Sequence, residues 1–253
     1  MKKISSLPLV VLILALFLES GCKKQPTATN TQVTGNLYGY VTLYDQYGGK
    51  IFSGLNAVTV TLNTSSGSVS NATTDSTGKY GFNGIAQGQY TIGYTCPGFG
   101  SLLNSALGFL GEGNIDHDAK LSAIPNFFDS ILAPPTDTLG NVVLQGTFSG
   151  SDTRKRTYVV FVGSSPSVSS LPANYLIYYS GTANNNLTTF TVKIPVSDLN
   201  DAGFTSGSTV YFAAYGAAAS FASTSDVEDL ANTGRLSFSA ISANAATTSF
   251  VMP

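Results

Sequence analysis

The sequence predicts an all-β protein made of two β-sandwich modules in series, and three observations carry that reading. Apolar and polar residues alternate in Leu37–Tyr44 and again in Ala57–Leu62, the period of a strand with one buried face. Between such runs stand Gly48-Gly49, Ser65-Ser66-Gly67, Asp75-Ser76-Thr77-Gly78 and Gly88, residues that accept positive φ or the local side-chain hydrogen bonds of turns. No segment shows a three-turn helical stripe. Leu102, Leu103, Leu107 and Leu110 come nearest, and Gly108, Gly111 and Gly113 interrupt them.

Composition narrows the function classes. Only 10% of the 253 residues are charged, against about a quarter in an ordinary domain, so hydroxyls, amides and glycine carry solubility. Twelve Lys and Arg against fourteen Asp and Glu give a net charge of -2 without a long basic run. The electrostatic footprint of a nucleic-acid binder is therefore missing. Two Cys, one His and no Trp supply too few soft ligands for a common Cys/His zinc site and one imidazole for acid-base work. No metal, cofactor or enzymatic activity is expected.

The amino terminus sets the expected compartment. Met1-Lys2-Lys3 and the fifteen-residue apolar run Ile4–Leu18 fall short of the roughly 20 residues a membrane-spanning helix needs, and residues 1–21 read as a signal peptide. The run ends in Glu19-Ser20-Gly21-Cys22-Lys23-Lys24, which resembles the lipobox of bacterial lipoproteins, where small residues precede a cysteine that is diacylated and becomes the new amino terminus. Glu19 stands where that family prefers Leu, a looser form similar to lipoproteins of the Bacteroidetes type. The resemblance implies an acylated Cys22 and a membrane partner through the lipid anchor, in the bacterial envelope and at the outer membrane. Each buried methylene adds about 0.8 kcal/mol, so several acyl chains make the anchor effectively permanent. Cys96 is then left as a single thiol, and no disulfide is expected. Residues 22–36 hold almost nothing that could bury and read as a flexible tether.

Residues 37–125 form the first expected module. The strings Gly39-Tyr40-Val41, Ala57–Leu62, Thr74-Asp75-Ser76-Thr77-Gly78-Lys79-Tyr80-Gly81-Phe82, Gly88-Gln89-Tyr90-Thr91-Ile92 and Pro97-Gly98-Phe99 are together similar to the carboxypeptidase regulatory-like domain over residues 35 to 125. That resemblance implies a seven-stranded transthyretin-like sandwich. Asp75 and Gly78 are expected to close a tight hairpin, with Tyr80 and Phe82 on one face of the next strand. Gly100–Asn114 reads as an insert before a last strand, His117–Ala123.

Residues 126–140 read as a Pro-rich connector that docks Phe127, Phe128 and Ile131 on a module surface. Beyond it, Asn141–Phe148, Arg156–Val162, Tyr175–Tyr179, Leu187–Ile194, Thr209–Tyr215 and Thr247–Val251 are spaced like the strands of an immunoglobulin-like sandwich over residues 141–253. Leu199 followed by Gly207–Ala214 resembles the approach to the penultimate strand of fibronectin type III domains. Residues 226–231 are expected to make one helical turn.

Few residues could carry chemistry. His117, between Asp116 and Asp118, could serve a small-molecule hydrolase or gather a divalent ion, but no second His or nucleophile motif accompanies it, and a polar strand edge explains it better. Arg154-Lys155-Arg156 could meet phosphate and reads better as a solvated turn. Asp226, Glu228 and Asp229 lack the Gly-containing spacing of a calcium loop. Tyr38, Tyr40 and Tyr44 share one strand face, and of Tyr178 and Tyr179 one ring must point outward, so these five are the candidate ligand-binding residues; core packing is their alternative explanation. Asp75-Ser76-Thr77, Asp129-Ser130-Ile131 and Asp137-Thr138-Leu139 resemble the acceptor motif of Bacteroidetes O-glycosylation, which makes Ser76, Ser130 and Thr138 candidate modification sites.

These readings lead to a non-catalytic envelope lipoprotein that serves as an interaction or structural module with a protein or glycan partner. A surface lipoprotein presenting glycan to an uptake system is the alternative.

Overall fold

The computed structural model describes residues 33–64, 66–67, 69–127, 135–149, 152–219, 228–229 and 235–253. The leader, Cys22, Phe128, Ser130, Ile131 and Asp226 lie outside them.

The first set of strands is β1 (Thr34–Tyr44), β2 (Lys50–Ile51), β3 (Thr59–Thr64), β4 (Val69–Thr73), β5 (Lys79–Ala86), β6 (Gly88–Thr95), β7 (Leu102–Phe109), β8 (Asn114–Asp116) and β9 (Ala119–Ser122). One sheet is centred on β1, which pairs antiparallel with β2 and β5 and parallel with β8 and β9. The other runs β4-β3-β6-β7, antiparallel throughout. Alternation decides the faces: Leu37, Val41 and Leu43 from β1 meet Val60, Leu62, Ile92 and Tyr94 in one core, each full burial of such a side chain contributing about 1.5–3 kcal/mol.

Several expectations change here. Thr34–Asn36, assigned to the tether, belong to β1 and pair with Ala86, Ile85 and Asn114, because backbone pairing needs no apolar side chain. Asp75–Gly78 is not a hairpin: β4 pairs with β3 and β5 with β1, so this turn carries the chain between sheets. Asp75 Oδ1 accepts from the Thr77 and Lys79 N–H groups and the Thr77 hydroxyl, a locally satisfied turn that leaves strand partners free. The expected insert holds β7, an edge strand paired with β6. The expected last strand, His117–Ala123, is β9, and a further short strand, β8, precedes it, the two separated at His117-Asp118.

The second set is β10 (Thr136–Thr138), β11 (Asn141–Thr147), β12 (Arg156–Gly163), β13 (Ile177–Ala183), β14 (Thr189–Pro195), helix α1 (Val196–Asp201), β15 (Thr209–Ala217), β16 (Glu228–Asp229), β17 (Arg235–Leu236) and β18 (Ala246–Val251). Sheets β10-β11-β14 and β13-β12-β15-β18 enclose the second core, and β16 pairs with β17. Glu228 and Asp229 are thus in a strand where a helical turn was expected. Every residue of β12 is buried: Tyr158, Val160 and Val162 face the core, while Val159 and Phe161 lie under Tyr175 and Phe238 on the other side. A strand covered on both faces reads as a continuous apolar run rather than an alternation.

Arg156, expected in a solvated turn, is 1% exposed. Its guanidinium lies 5.5 Å from the Phe148 ring and 6.0 Å from that of Phe127, and its Nη2 donates to the Asp152 carbonyl. The planar, weakly hydrated cation can stack on aromatic faces where an ammonium would stay in water.

The loop between β1 and β2 ties the two sandwiches together. Tyr47 packs against the second core, its ring stacked 5.6 Å from Phe127. The Arg154 guanidinium covers the other side of Tyr47 at 3.6 Å and reaches Asp152 at 2.6 Å and Asp45 at 3.4 Å. Gln46 and Asn126 exchange hydrogen bonds of 2.8 Å, and the Ala219 N–H donates to the Gln46 carbonyl. Phe127, expected on a module surface, is 4% exposed and sits inside the second core.

Candidate binding face

The outer face of the β1 sheet gathers the first three candidate tyrosines. Leu37, Val41 and Leu43 occupy the inward positions, so Tyr38, Tyr40, Thr42 and Tyr44 point away from the core. Tyr40 is 49% exposed; Tyr38 and Tyr44 are half-buried. Directly paired residues share a face, and the register sets Lys79 beside Tyr40, Lys50 beside Tyr44, Lys120 beside Thr42 and Asp116 beside Tyr38. The Lys79 ammonium lies 5.8 Å from the Tyr38 ring and that of Lys50 5.5 Å from Phe52. Gly81 pairs with Tyr38 and offers no side chain, so the ring lies beside bare backbone. Sequence reading missed Lys79 and Lys120 because pairing sets them beside Tyr40 and Thr42 across 39 and 78 residues of chain, and Lys50 because only the β1–β2 turn brings it beside Tyr44. Lys50 and Phe52, two apart, were the one local signal.

Behind this face the hydroxyls of Tyr80 on β5 and Tyr94 on β6 lie 2.9 Å apart and link the two sheets. Tyr80 donates to the His117 carbonyl at 2.5 Å, and the Tyr94 hydroxyl is 2.7 Å from His117 Nδ1. The break between β8 and β9 is held from outside as well, where the Tyr40 N–H donates to Asp118 Oδ1 at 2.8 Å and the His117 N–H to the Tyr38 carbonyl. His117 is therefore engaged in joining strands. Burial pushes the Tyr80 hydroxyl up to about 12 and also raises Tyr94, with Tyr80 beside it adding to the rise.

A tyrosine held neutral by the fold contributes stability that is whole below its unfolded value and lost as pH climbs toward the folded one. The first sandwich is thus expected to weaken between pH 10 and about 12. Tyr94→Phe should flatten that decline and cost about 1 kcal/mol at neutral pH. Urea titrations on both sides of pH 10 check this, and an unchanged alkaline slope would assign the loss to other groups.

The other candidate residues lie elsewhere. Tyr178 and Tyr179 are on β13, in the second sandwich. Tyr178, 37% exposed, meets the edge of Phe238 at 4.9 Å. Tyr179 turns to the core side and donates to Asp198 Oδ2 at 2.9 Å, its hydroxyl pushed up by burial and by that carboxylate. The fold brings neither to the β1 face. Ser76 is exposed at the tip of its turn, and Thr138 is exposed in β10; Ser130 and Cys22 lie outside the described residues. Cys96 is buried, its thiol pushed up by desolvation. Among the described residues no three His, Cys, Asp or Glu side chains gather as a metal site. A separate cleft of about 200 Å³ opens over Leu62, Phe82 and Ile85 and is rimmed by Thr64, Ser70, Asn83 and Tyr90.

The architecture defines an all-β protein of two sandwiches with a mixed aromatic and cationic face on the first. Residues 46–120 match the sequence profile of the SdrD B-like domain. No curated protein matches the chain. Among solved structures, the chain is similar to a candidate carbohydrate-binding protein from Bacteroides uniformis at 14% identity and a TM-score of 0.32, over 86% of this chain and 99% of that one. It is also similar to a DUF3823 family protein from the same organism at 12% identity and a TM-score of 0.32, over 87% and 100%. A third likeness is to BcpA, the major pilin subunit of Bacillus cereus, at 12% identity and a TM-score of 0.29, over 73% and 64%.

Proposed function

We propose that the protein is a non-catalytic lipoprotein of the bacterial envelope, anchored in the outer membrane through acylated Cys22, whose paired sandwiches present a surface to a partner. The observation that carries the anchor is the apolar leader ending in Ser20-Gly21-Cys22. The presenting role is supported by the interface at Tyr47, Arg154 and Phe127, which joins two separate cores into one body. Engagement of His117 by Tyr94 supports a structural rather than a hydrolytic role for the one imidazole. Within this reading the first sandwich is a carboxypeptidase regulatory-like module, supported by the run Thr74–Phe82, and the second is related to immunoglobulin and fibronectin type III sandwiches. Ser76, Ser130 and Thr138 are O-glycosylation sites in the same reading. Metabolic labelling with palmitate is expected to mark the wild type and to miss Cys22→Ala; equal labelling of both would end the lipoprotein assignment.

The exposed Tyr40 ring with lysines beside it favours a second reading, in which the partner presented or captured is a glycan.

A further inference from the structure

The cationic residues of the first sandwich are not scattered. Between Val33 and Pro125 the chain holds three basic residues, Lys50, Lys79 and Lys120, and register places all three on the outer face of the β1 sheet, beside Tyr44, Tyr40 and Thr42. Strands β3, β4, β6 and β7 of the opposite sheet carry no charged residue. Solubility alone would not confine the lysines to one sheet and mix them with rings. The five acids of the same stretch are dispersed: Asp45 meets Arg154, Asp75 is folded into its turn, Glu112 lies in the loop before β8, and Asp118 accepts from the Tyr40 N–H. Two of them reach the lysine face: Asp116 is set beside Tyr38, and Asp118 lies next to Tyr40, its carboxylate engaged by the Tyr40 N–H.

We propose that this face binds an anionic polysaccharide, with the Tyr40 ring stacking on a sugar and Lys79 and Lys120 pairing with carboxylates on either side of it. This rests on the glycan reading and narrows it to acidic sugars. Lys79 stands beside Tyr40 on one side of β1, and Lys120 stands on the other side beside Thr42, two residues further along, so the two cations are about 10 Å apart across the sheet and about 7 Å apart along it, with Tyr40 between the strands that carry them. An aromatic face suits the apolar side of a pyranose ring, while separated ammonium groups suit widely spaced carboxylates. Asp116 can accept from sugar hydroxyls and opposes a phosphate-dense polymer. Lys50 extends the cationic side toward Phe52.

The test uses the full chain in detergent with polygalacturonate, alginate and chondroitin sulfate, and with fully methyl-esterified pectin as the uncharged counterpart of the first. At least one acidic polymer should bind, with loss of affinity as salt rises. Combined Lys50→Gln, Lys79→Gln and Lys120→Gln should weaken binding by about tenfold, from weak exposed pairs acting together. Tyr40→Ala should cost about tenfold through lost stacking. Lys193→Gln, an exposed lysine of the second sandwich, should change nothing. Equal binding of the esterified polymer, or indifference to the triple substitution, would overturn the acidic-sugar assignment and leave a glycan reading standing. Binding to none of the four polymers would remove both. Lysine-dependent capture by phosphatidylglycerol vesicles without polymer binding would assign the face to lipid headgroups and overturn the proposal.

Discussion

Gly39→Val is expected to unfold the first sandwich under conditions where the wild type is folded. Gly39 sits mid-strand in β1 with its missing side chain aimed at the core, where the His117 carbonyl occupies the space a Cβ would take. That carbonyl cannot easily retreat. Tyr80 holds it, Tyr94 approaches it at 3.3 Å, and the adjacent backbone is fixed through the Tyr38 carbonyl and the Tyr40 N–H. Overpacking costs about 1–3 kcal/mol or more, and each of the hydrogen bonds displaced adds about 1 kcal/mol. The sum is a large part of a domain stability of about 5–15 kcal/mol. Gly39→Ala should cost nearly as much, because the offending atom is Cβ itself. A melting temperature for Gly39→Ala within about 2 °C of wild type would show that the strands do not approach in this way.

Phe127→Ala is expected to destabilise the second sandwich by about 3–5 kcal/mol, the cost of deleting a buried phenyl ring. The ring is stacked on Tyr47, meets Phe148 edge-on at 5.9 Å, and lies near the Arg156 guanidinium. Its loss removes core packing, the platform under the first sandwich and part of the cover over a buried cation at once. Asn126→Ala should lose the exposed bond that Gln46 Nε2 donates to Asn126 Oδ1, keep the one its backbone N–H donates to Gln46 Oε1, and cost below about 1 kcal/mol. Thermal unfolding of the two variants separates the readings: similar small losses would place Phe127 in a surface connector, as its Pro-rich surroundings suggest.

The strand material was legible where one face is wet. Leu37–Tyr44 and Leu187–Ile194 alternate cleanly, and the structure has β1 and β14 there, with β14 starting at Thr189. Even Arg156–Val162 was readable as a strand from its run of β-branched and aromatic residues. Partnership was not legible. The Asp75–Gly78 turn has the residues of a hairpin yet separates strands of different sheets, because turn chemistry is satisfied within five residues and says nothing about ladders. Arg156 read as solvent-exposed because charge is normally a surface signal; its aromatic cover comes from Phe127 and Phe148, which only the fold brings near. The face at Tyr40 was half visible: the tyrosines announce themselves at i and i+2, whereas Lys79 and Lys120 reach it from strands encoded far along the chain.

The position of β1 bears on how the molecule would carry mechanical load. The described chain begins at Val33 and passes directly into the central strand, which has partners on both edges and parallel ones along Asn36–Tyr38 and Val41–Tyr44. Tension applied at Val33 along that strand would have to shear many backbone bonds together instead of unzipping them singly, so a tug on this end would be resisted by the strongest part of the sheet.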